Sequence, residues 1–200
     1  MKRVKQVDTS CPHGIYVYDR EADEWVLVAT EGEPFKPTRD GIYAIYFDNT
    51  KCPACRRYDP IWFNYVKKYS QKNPQMNFVI VLCEWFARNC KSEAASKTFK
   101  EFDVHASPTT VFLYVKGGKA VYKEKYEGVL YEFELSMITD GFADRAERSL
   151  RGEKVQPPIK ATASSALQQL ISELLKMIIE KEMKQGAKSE ETKESPESGT

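Results

Sequence analysis

The chain has 200 residues, of which 42% are hydrophobic and 30% charged, and 30 basic against 29 acidic side chains leave a formal net charge of +1. This length suits one domain with an appendage, and the balanced charge gives no reason to expect nucleic acid or an anionic membrane surface as a partner. The charged start and the lack of a long apolar stretch argue against a secretory signal and a membrane span, so we expect a cytoplasmic protein.

The first half of the chain alternates loops with apolar runs of strand length. Residues 1–14 are predicted to be an irregular arm, and two β-rich runs around a polar segment predict a hairpin within residues 15–28. The continuous apolar runs Ile42–Phe47 and Phe78–Leu82 are typical of strands buried on both faces. Between these runs, apolar side chains recur at helical spacing over residues 61–69.

The second half continues this alternation. Residues 92–102 are predicted to be a helix, residues 109–126 a hairpin turned by Gly117-Gly118, and residues 135–146 one closing helix. Strands that alternate with helices imply parallel pairing, and the glycine hairpin adds an antiparallel edge. We therefore expect an α/β fold, with a central mixed β-sheet flanked by helices and an N-terminal β-hairpin.

The last fifty residues differ from the rest in composition. Gly and Pro residues indicate a linker, a clean apolar stripe predicts an amphipathic helix, and a Ser-, Glu-, Lys- and Pro-rich end predicts disorder. An exposed apolar stripe of this kind is expected to be buried in a contact. The contact is either with the rest of the same chain or with a second copy in a homo-oligomer. The predicted domains are an arm and hairpin (1–40), an α/β domain (41–150), a linker (151–162), an amphipathic helix (163–186) and a disordered tail (187–200).

The motif that carries chemistry is Cys52-Pro53-Ala54-Cys55, which follows a buried strand and opens a helix. A helix start offers unpaired backbone N–H groups that favour a thiolate at Cys52. The cations of Lys51, Arg56 and Arg57 either strengthen this effect or form a solvated rim. Cys55, one turn further on, is placed to resolve a mixed disulfide formed by Cys52.

Together with four later features of the sequence, this motif resembles the thioredoxin superfamily. That family has an apolar strand, a Cys-x-x-Cys and a proline five residues after the second cysteine, here Pro60. Its Val-x-x-x-Pro-Thr segment before a strand recurs as Val104–Thr109, and its glycine hairpin and Tyr-x-Gly recur as Gly117-Gly118 and Tyr126–Gly128. The resemblance covers roughly residues 40–148 and implies a thioredoxin-like fold.

The resemblance also implies roles for individual residues. Cys52 would be the nucleophile and Cys55 the resolving thiol. Ser107, Pro108 and Thr109 would bind the substrate backbone, with Pro108 following a cis peptide bond. No cofactor and no metal are implied.

The chain departs from the family at the site itself. Tyr46 stands where thioredoxins have a buried Asp, and Lys51 replaces the Trp before the first cysteine. The two residues between the cysteines are Pro53 and Ala54, and the proline comes first, as in glutaredoxin-type sites. The direction of the redox chemistry is therefore open.

The other cysteines allow several interpretations. Cys83 and Cys90 either form a second disulfide or are two unrelated thiols, since the separation of their Cα atoms decides this. A structural zinc site with these two and the Cys52/Cys55 pair is a further alternative. Cys11 is expected to be a free thiol in a mobile arm, and His105 an exposed, non-catalytic histidine.

These observations predict a thiol–disulfide oxidoreductase that acts on protein or small-molecule disulfides. Its partners would be those substrates and an unidentified reductase or oxidase. The competing class is a redox-inactive thioredoxin-like interaction module that assembles through residues 163–186.

Overall fold

The computed structural model describes residues 2–159, which form a seven-stranded sheet of order β1-β3-β2-β5-β4-β6-β7 flanked by helices. The predicted amphipathic helix (163–186) and tail (187–200) lie outside the described residues. The elements are β1 (Arg3–Val4), β2 (Gly14–Asp19), β3 (Glu24–Ala29), β4 (Gly41–Asn49), α1 (Pro53–Lys72), β5 (Met76–Cys83), α2 (Glu93–Glu101), β6 (Thr109–Lys116), β7 (Lys119–Glu127), α3 (Glu132–Asp140) and α4 (Phe142–Leu150).

The N-terminal segment is part of the sheet. β2 and β3 form the predicted hairpin, and β2 also pairs antiparallel with β5. The expectation of a mobile arm is wrong for Cys11, which is a free thiol but is buried, with its Sγ accepting the Asp8 N–H at 3.4 Å. The arm is held because Val7 and Cys11 pack into the apolar core.

The centre of the sheet is a parallel unit with an antiparallel extension. β4 and β5 pair in parallel, since the chain crosses over between them through α1. β6 pairs antiparallel with β4 and turns into β7 at Gly117 and Gly118. Both glycines have positive φ values of 61° and 70°, and their N–H groups donate to the Asp40 carboxylate.

Each face of the sheet has its own core, because side chains alternate along a strand. Ala44 and Tyr46 of β4 face the core beneath α1, α3 and α4, and Ile45 and Phe47 face the core beneath α2. The sheet is therefore covered on both sides, and β4 is buried along its whole length except at Gly41.

The closing helix was predicted as one element and is two. Gly141 ends α3 and begins α4. Since glycine is a poor helix former, the chain changes direction there and brings Phe142 and Arg145 into the core. Residues 151–159 contain no helix or strand, and within the described part of the chain no helix has the length and apolarity needed to cross a membrane.

Candidate active site

The site lies where β4 ends and α1 begins. Cys52 is the N-cap of α1, and its Sγ accepts the backbone N–H of Cys55 at 3.2 Å. Pro53 occupies the first turn, where a missing N–H has no cost because that group would have no partner within the helix. The first thiol therefore sits at the positive end of the helix dipole.

The loop before β6 faces both sulfur atoms. The Ser107 carbonyl oxygen lies 3.6 Å from Cys52 Sγ, and the Ser107 hydroxyl lies 2.9 Å from Cys55 Sγ. The Ser107–Pro108 peptide bond is cis, and the Pro108 carbonyl accepts the N–H of Gly128 at 2.8 Å. Thr109, the third residue of this segment, is buried and donates its hydroxyl to the Ala106 carbonyl at 2.8 Å. The structure thus brings Ser107 together with Cys52 and Cys55, which belong to separate segments of the sequence.

The two thiols differ in their surroundings. Cys52 retains 4% of its exposure, whereas Cys55 has none. Burial raises the pKa of Cys55 far above that of a free thiol, and the negative charge of Asp48 raises it further. Hydrogen bonds from Ser107 and the Asn49 backbone act in the opposite direction. At neutral pH the Cys55 thiol therefore keeps its proton.

A buried charged cluster lies beneath the cysteine pair. Arg56 forms ion pairs with Asp48 and with Asp59, the second at 3.2 Å. Tyr46 donates its hydroxyl to Asp59 Oδ1 at 3.0 Å, and the same hydroxyl lies 3.4 Å from the Cys55 carbonyl oxygen. Burial and the charge of Asp48 raise the pKa of Asp59 to about 7, although Arg56 and Tyr46 lower it.

Two of the predicted cations are paired with carboxylates, and Arg57 is exposed. Lys51 Nζ lies 2.5 Å from Glu84, and Arg56 turns inward to Asp48. Their positive charge is therefore largely compensated, and the expectation that they add to the potential at Cys52 does not describe this arrangement. Ala54 is half-buried in the first turn of α1 and packs against the core.

Cys83 and Cys90 form a disulfide, with their Cα atoms 4.7 Å apart. Sulfur atoms joined in this way cannot act as thiolate ligands, so the zinc alternative with four thiols is wrong. β5 ends at Cys83, directly beside Asn49 in the parallel register. The Cys83–Cys90 disulfide therefore lies next to the Cys52/Cys55 site. His105 is 81% exposed in its side chain and pairs with Asp103 at 2.7 Å.

Three polar residues of the site were not predicted from the sequence: Asp48, Asn49 and Asp59. Asp59 follows Cys55 by four residues, so the helical period places both on one face of α1. This spacing was the available signal for Asp59. Nothing in the sequence points to the contact of Asn49 with Ser107, which is 58 residues away.

The strand order β5-β4-β6-β7, with α1 crossing between β4 and β5 and the Cys pair at its start, is the arrangement of a thioredoxin-like fold. No family model and no curated protein matches this chain.

Solved thioredoxins resemble its fold. Thioredoxin from Aeropyrum pernix is 14% identical with a TM-score of 0.42, over 72% of this chain and 98% of that one. Chloroplastic thioredoxin z is 13% identical with a TM-score of 0.42, over 60% and 97%. Mitochondrial thioredoxin 3 from Saccharomyces cerevisiae is 22% identical with a TM-score of 0.38, over 58% and 94%.

Proposed function

We propose that the protein is a thiol–disulfide oxidoreductase in which Cys52 attacks the substrate disulfide and Cys55 resolves the intermediate. The observation that carries this proposal is the placement of the two sulfur atoms. Cys52 Sγ sits at the start of α1 within hydrogen-bond distance of a helix N–H, and Cys55 Sγ lies behind it against the Ser107 hydroxyl. The first sulfur is placed to attack a substrate disulfide, and the second lies buried behind it as a protonated thiol.

The reaction proceeds in two exchanges. The Cys52 thiolate forms a bond to one substrate sulfur, the substrate disulfide breaks, and the first substrate thiolate leaves and takes a proton from water. Cys55 then bonds to Cys52, the mixed disulfide breaks, and the second substrate thiolate leaves with the proton of Cys55. Two electrons pass from the protein dithiol to the substrate disulfide.

Substrate binding is assigned to Ser107, Pro108 and Thr109. The first two lie on the loop that faces both sulfur atoms, and the Ser107 carbonyl approaches Cys52 Sγ. An extended substrate segment placed across this loop would present its disulfide to Cys52. The substrates would be protein or small-molecule disulfides, with a reductase or oxidase partner to reset the dithiol.

Replacement of the nucleophile tests the function. Cys52→Ser is expected to abolish reduction of insulin or of a glutathione mixed disulfide, because a serine hydroxyl cannot form the intermediate. The matched control is Cys11→Ala, which removes a buried free thiol that lies outside the site and should leave the rate unchanged. Equal rates for the wild type and Cys52→Ser would overturn the proposal.

A redox titration separates this function from the redox-inactive module and gives the direction of the chemistry. An oxidoreductase has one defined two-electron potential for Cys52 and Cys55, and a binding module has none. A potential near about −270 mV indicates a reductase and one near about −120 mV an oxidant.

A further inference from the structure

Asn49 connects a distant loop to the resolving thiol. It is fully buried at the end of β4, its Nδ2 donates to Ser107 Oγ at 2.8 Å, and its Oδ1 accepts the backbone N–H of Phe86 at 2.6 Å. Ser107 Oγ in turn lies 2.9 Å from Cys55 Sγ. A continuous chain of hydrogen bonds therefore runs from the loop between Cys83 and Cys90 to the Cys55 sulfur.

The chemistry of the partners sets the direction of each bond. A backbone N–H only donates, so the amide atom of Asn49 that faces Phe86 is the oxygen, and the NH₂ group faces Ser107. Because that NH₂ group also only donates, the Ser107 oxygen accepts from it and keeps its own hydroxyl proton for another partner. The Cys55 sulfur is in place to accept that proton in a hydrogen bond when it becomes a thiolate.

The loop between Cys83 and Cys90, where this series of hydrogen bonds begins, is constrained by a disulfide and by its own backbone hydrogen bonds. The disulfide closes it, and the N–H groups of Glu84 and Trp85 both donate to the Asn89 carbonyl, at 3.0 and 3.1 Å. Phe86 has a φ of 53°, a conformation that large L-residues rarely adopt. The closed loop holds Phe86 in this conformation, with its N–H directed at Asn49.

We propose that Asn49 is a positioning residue for the resolving step: held by the Cys83–Cys90 loop, it keeps the Ser107 hydroxyl on the Cys55 sulfur. The proposal rests on the dithiol function proposed above. In that step the Cys52–Cys55 bond forms, the bond from Cys52 to the substrate breaks, and the proton of Cys55 goes to the departing thiolate.

The hydroxyl acts on the proton transfer of this step. The Ser107 hydrogen bond lowers the pKa of Cys55 against the larger effect of burial. Loss of Asn49 would free the hydroxyl to rotate, and the buried thiolate would lose a donor. The contacts of Cys52 are different: its sulfur accepts the Cys55 backbone N–H, and its thiol donates to the Ser107 carbonyl while it is protonated. Attack by Cys52 therefore does not depend on the Ser107 hydroxyl.

Dithiobis(nitrobenzoate) separates the two steps in one stopped-flow experiment. Attack by Cys52 releases a first nitrothiobenzoate ion, and resolution by Cys55 releases the second. We expect Asn49→Ala to slow the second release about tenfold, the effect of one hydrogen bond to a charged group, and to leave the first unchanged. The pH midpoint of the second release should move upward.

A double-mutant cycle tests the pathway through Ser107. If Asn49 acts through that hydroxyl, Asn49→Ala/Ser107→Ala is no slower than Ser107→Ala alone. Ser107→Ala leaves the buried amide in place, so it keeps the test valid if Asn49→Ala fails to fold. Asn77→Ala, at the other end of β5, is the matched control and should change neither release.

The outcomes distinguish the two proposals. A wild type that releases one nitrothiobenzoate or none overturns the oxidoreductase function and the positioning role together. Two releases in the wild type, with wild-type rates in Asn49→Ala and Ser107→Ala, overturn the positioning role alone. Equal slowing of both releases in Asn49→Ala gives the residue a purely structural role and also overturns it.

Discussion

Two buried ionic clusters in this protein differ in their balance of charge. Between α4 and β7, Arg145 Nε and Nη2 donate to the two oxygens of Glu124 at 2.7 and 2.9 Å. The hydroxyls of Tyr122 and Tyr126 donate to the same carboxylate at 2.7 and 2.5 Å. One cation meets one carboxylate, and every oxygen lone pair of Glu124 has a donor in reach.

The cluster beneath the cysteine pair has one cation for two carboxylates. Arg56 contacts Asp48 and Asp59, and Tyr46 is the remaining donor to Asp59. Burial and, to a smaller extent, the negative charge of Asp48 raise the pKa of Asp59 to about 7. The unbalanced cluster therefore changes its charge near neutral pH, in the range where thiols exchange.

The largest effect is expected when the balanced cluster is broken. Arg145→Met leaves the Glu124 carboxylate buried without its cation, which should lower the free energy of unfolding by about 3–5 kcal/mol. Denaturant unfolding measures this loss, and Arg145→Met/Glu124→Gln should recover a large part of it because no buried charge remains. A loss below about 1 kcal/mol in the single variant would contradict the description of this pair as structural.

An intermediate effect is expected when the unbalanced cluster is made balanced. The native state binds the proton of Asp59 up to about pH 7, whereas the unfolded chain loses it near its ordinary pKa of 3.8. The free energy of unfolding should therefore fall as pH rises between these two values, by up to about 4 kcal/mol from this group. Asp59→Asn should remove this slope and be more stable than the wild type above pH 7.

Urea unfolding across this pH range provides the measurement. Arg56 keeps its pairing with Asp48 in the variant, so a folded protein with a one-to-one ion pair is expected. An unchanged slope in Asp59→Asn would show that another group titrates there.

The smallest effect is expected from a single hydroxyl. Tyr46→Phe removes a donor to ionised Asp59, so the pKa of Asp59 should rise further and stability should fall by about 1 kcal/mol. Unfolding as a function of pH measures both changes. Tyr43→Phe is the matched control, since that hydroxyl contacts Arg39 on the other face of β4 and should lower stability without moving the pH dependence.

The fold was largely predictable because β4 and β5 are continuous apolar runs and the hairpins have polar or glycine turns. The helical spacing of apolar residues from Leu135 to Ala146 predicted one helix, although the helix is interrupted at Gly141. The two short helices happen to continue the same apolar spacing. The burial of the N-terminal segment around Cys11 is not predictable from the sequence for a different reason. Its apolar residues are too few for a pattern and are buried by strands that lie elsewhere in the sequence.

The site was predictable only in part. Cys52, Cys55 and Ser107 belong to motifs, whereas Asp59 resembles the surface carboxylates that most helices carry. Its burial depends on Tyr46, which reaches it from β4 across 13 positions of sequence. The sequence does not decide whether Cys83 and Cys90 form a disulfide, because spacing along the chain does not determine the separation of two Cα atoms.

The N-terminal hairpin covers the hydrogen-bonding edge of β5. Without β2, this apolar strand would present unpaired N–H and C=O groups, the arrangement through which strands of different molecules join and aggregate. With the hairpin in place, the outer strand on that side is the two-residue β1, and the other outer strand, β7, carries Lys119, Lys123 and Lys125. Very short strands and lysine-bearing strands are poor templates for strand addition, so the N-terminal segment protects the sheet from intermolecular pairing.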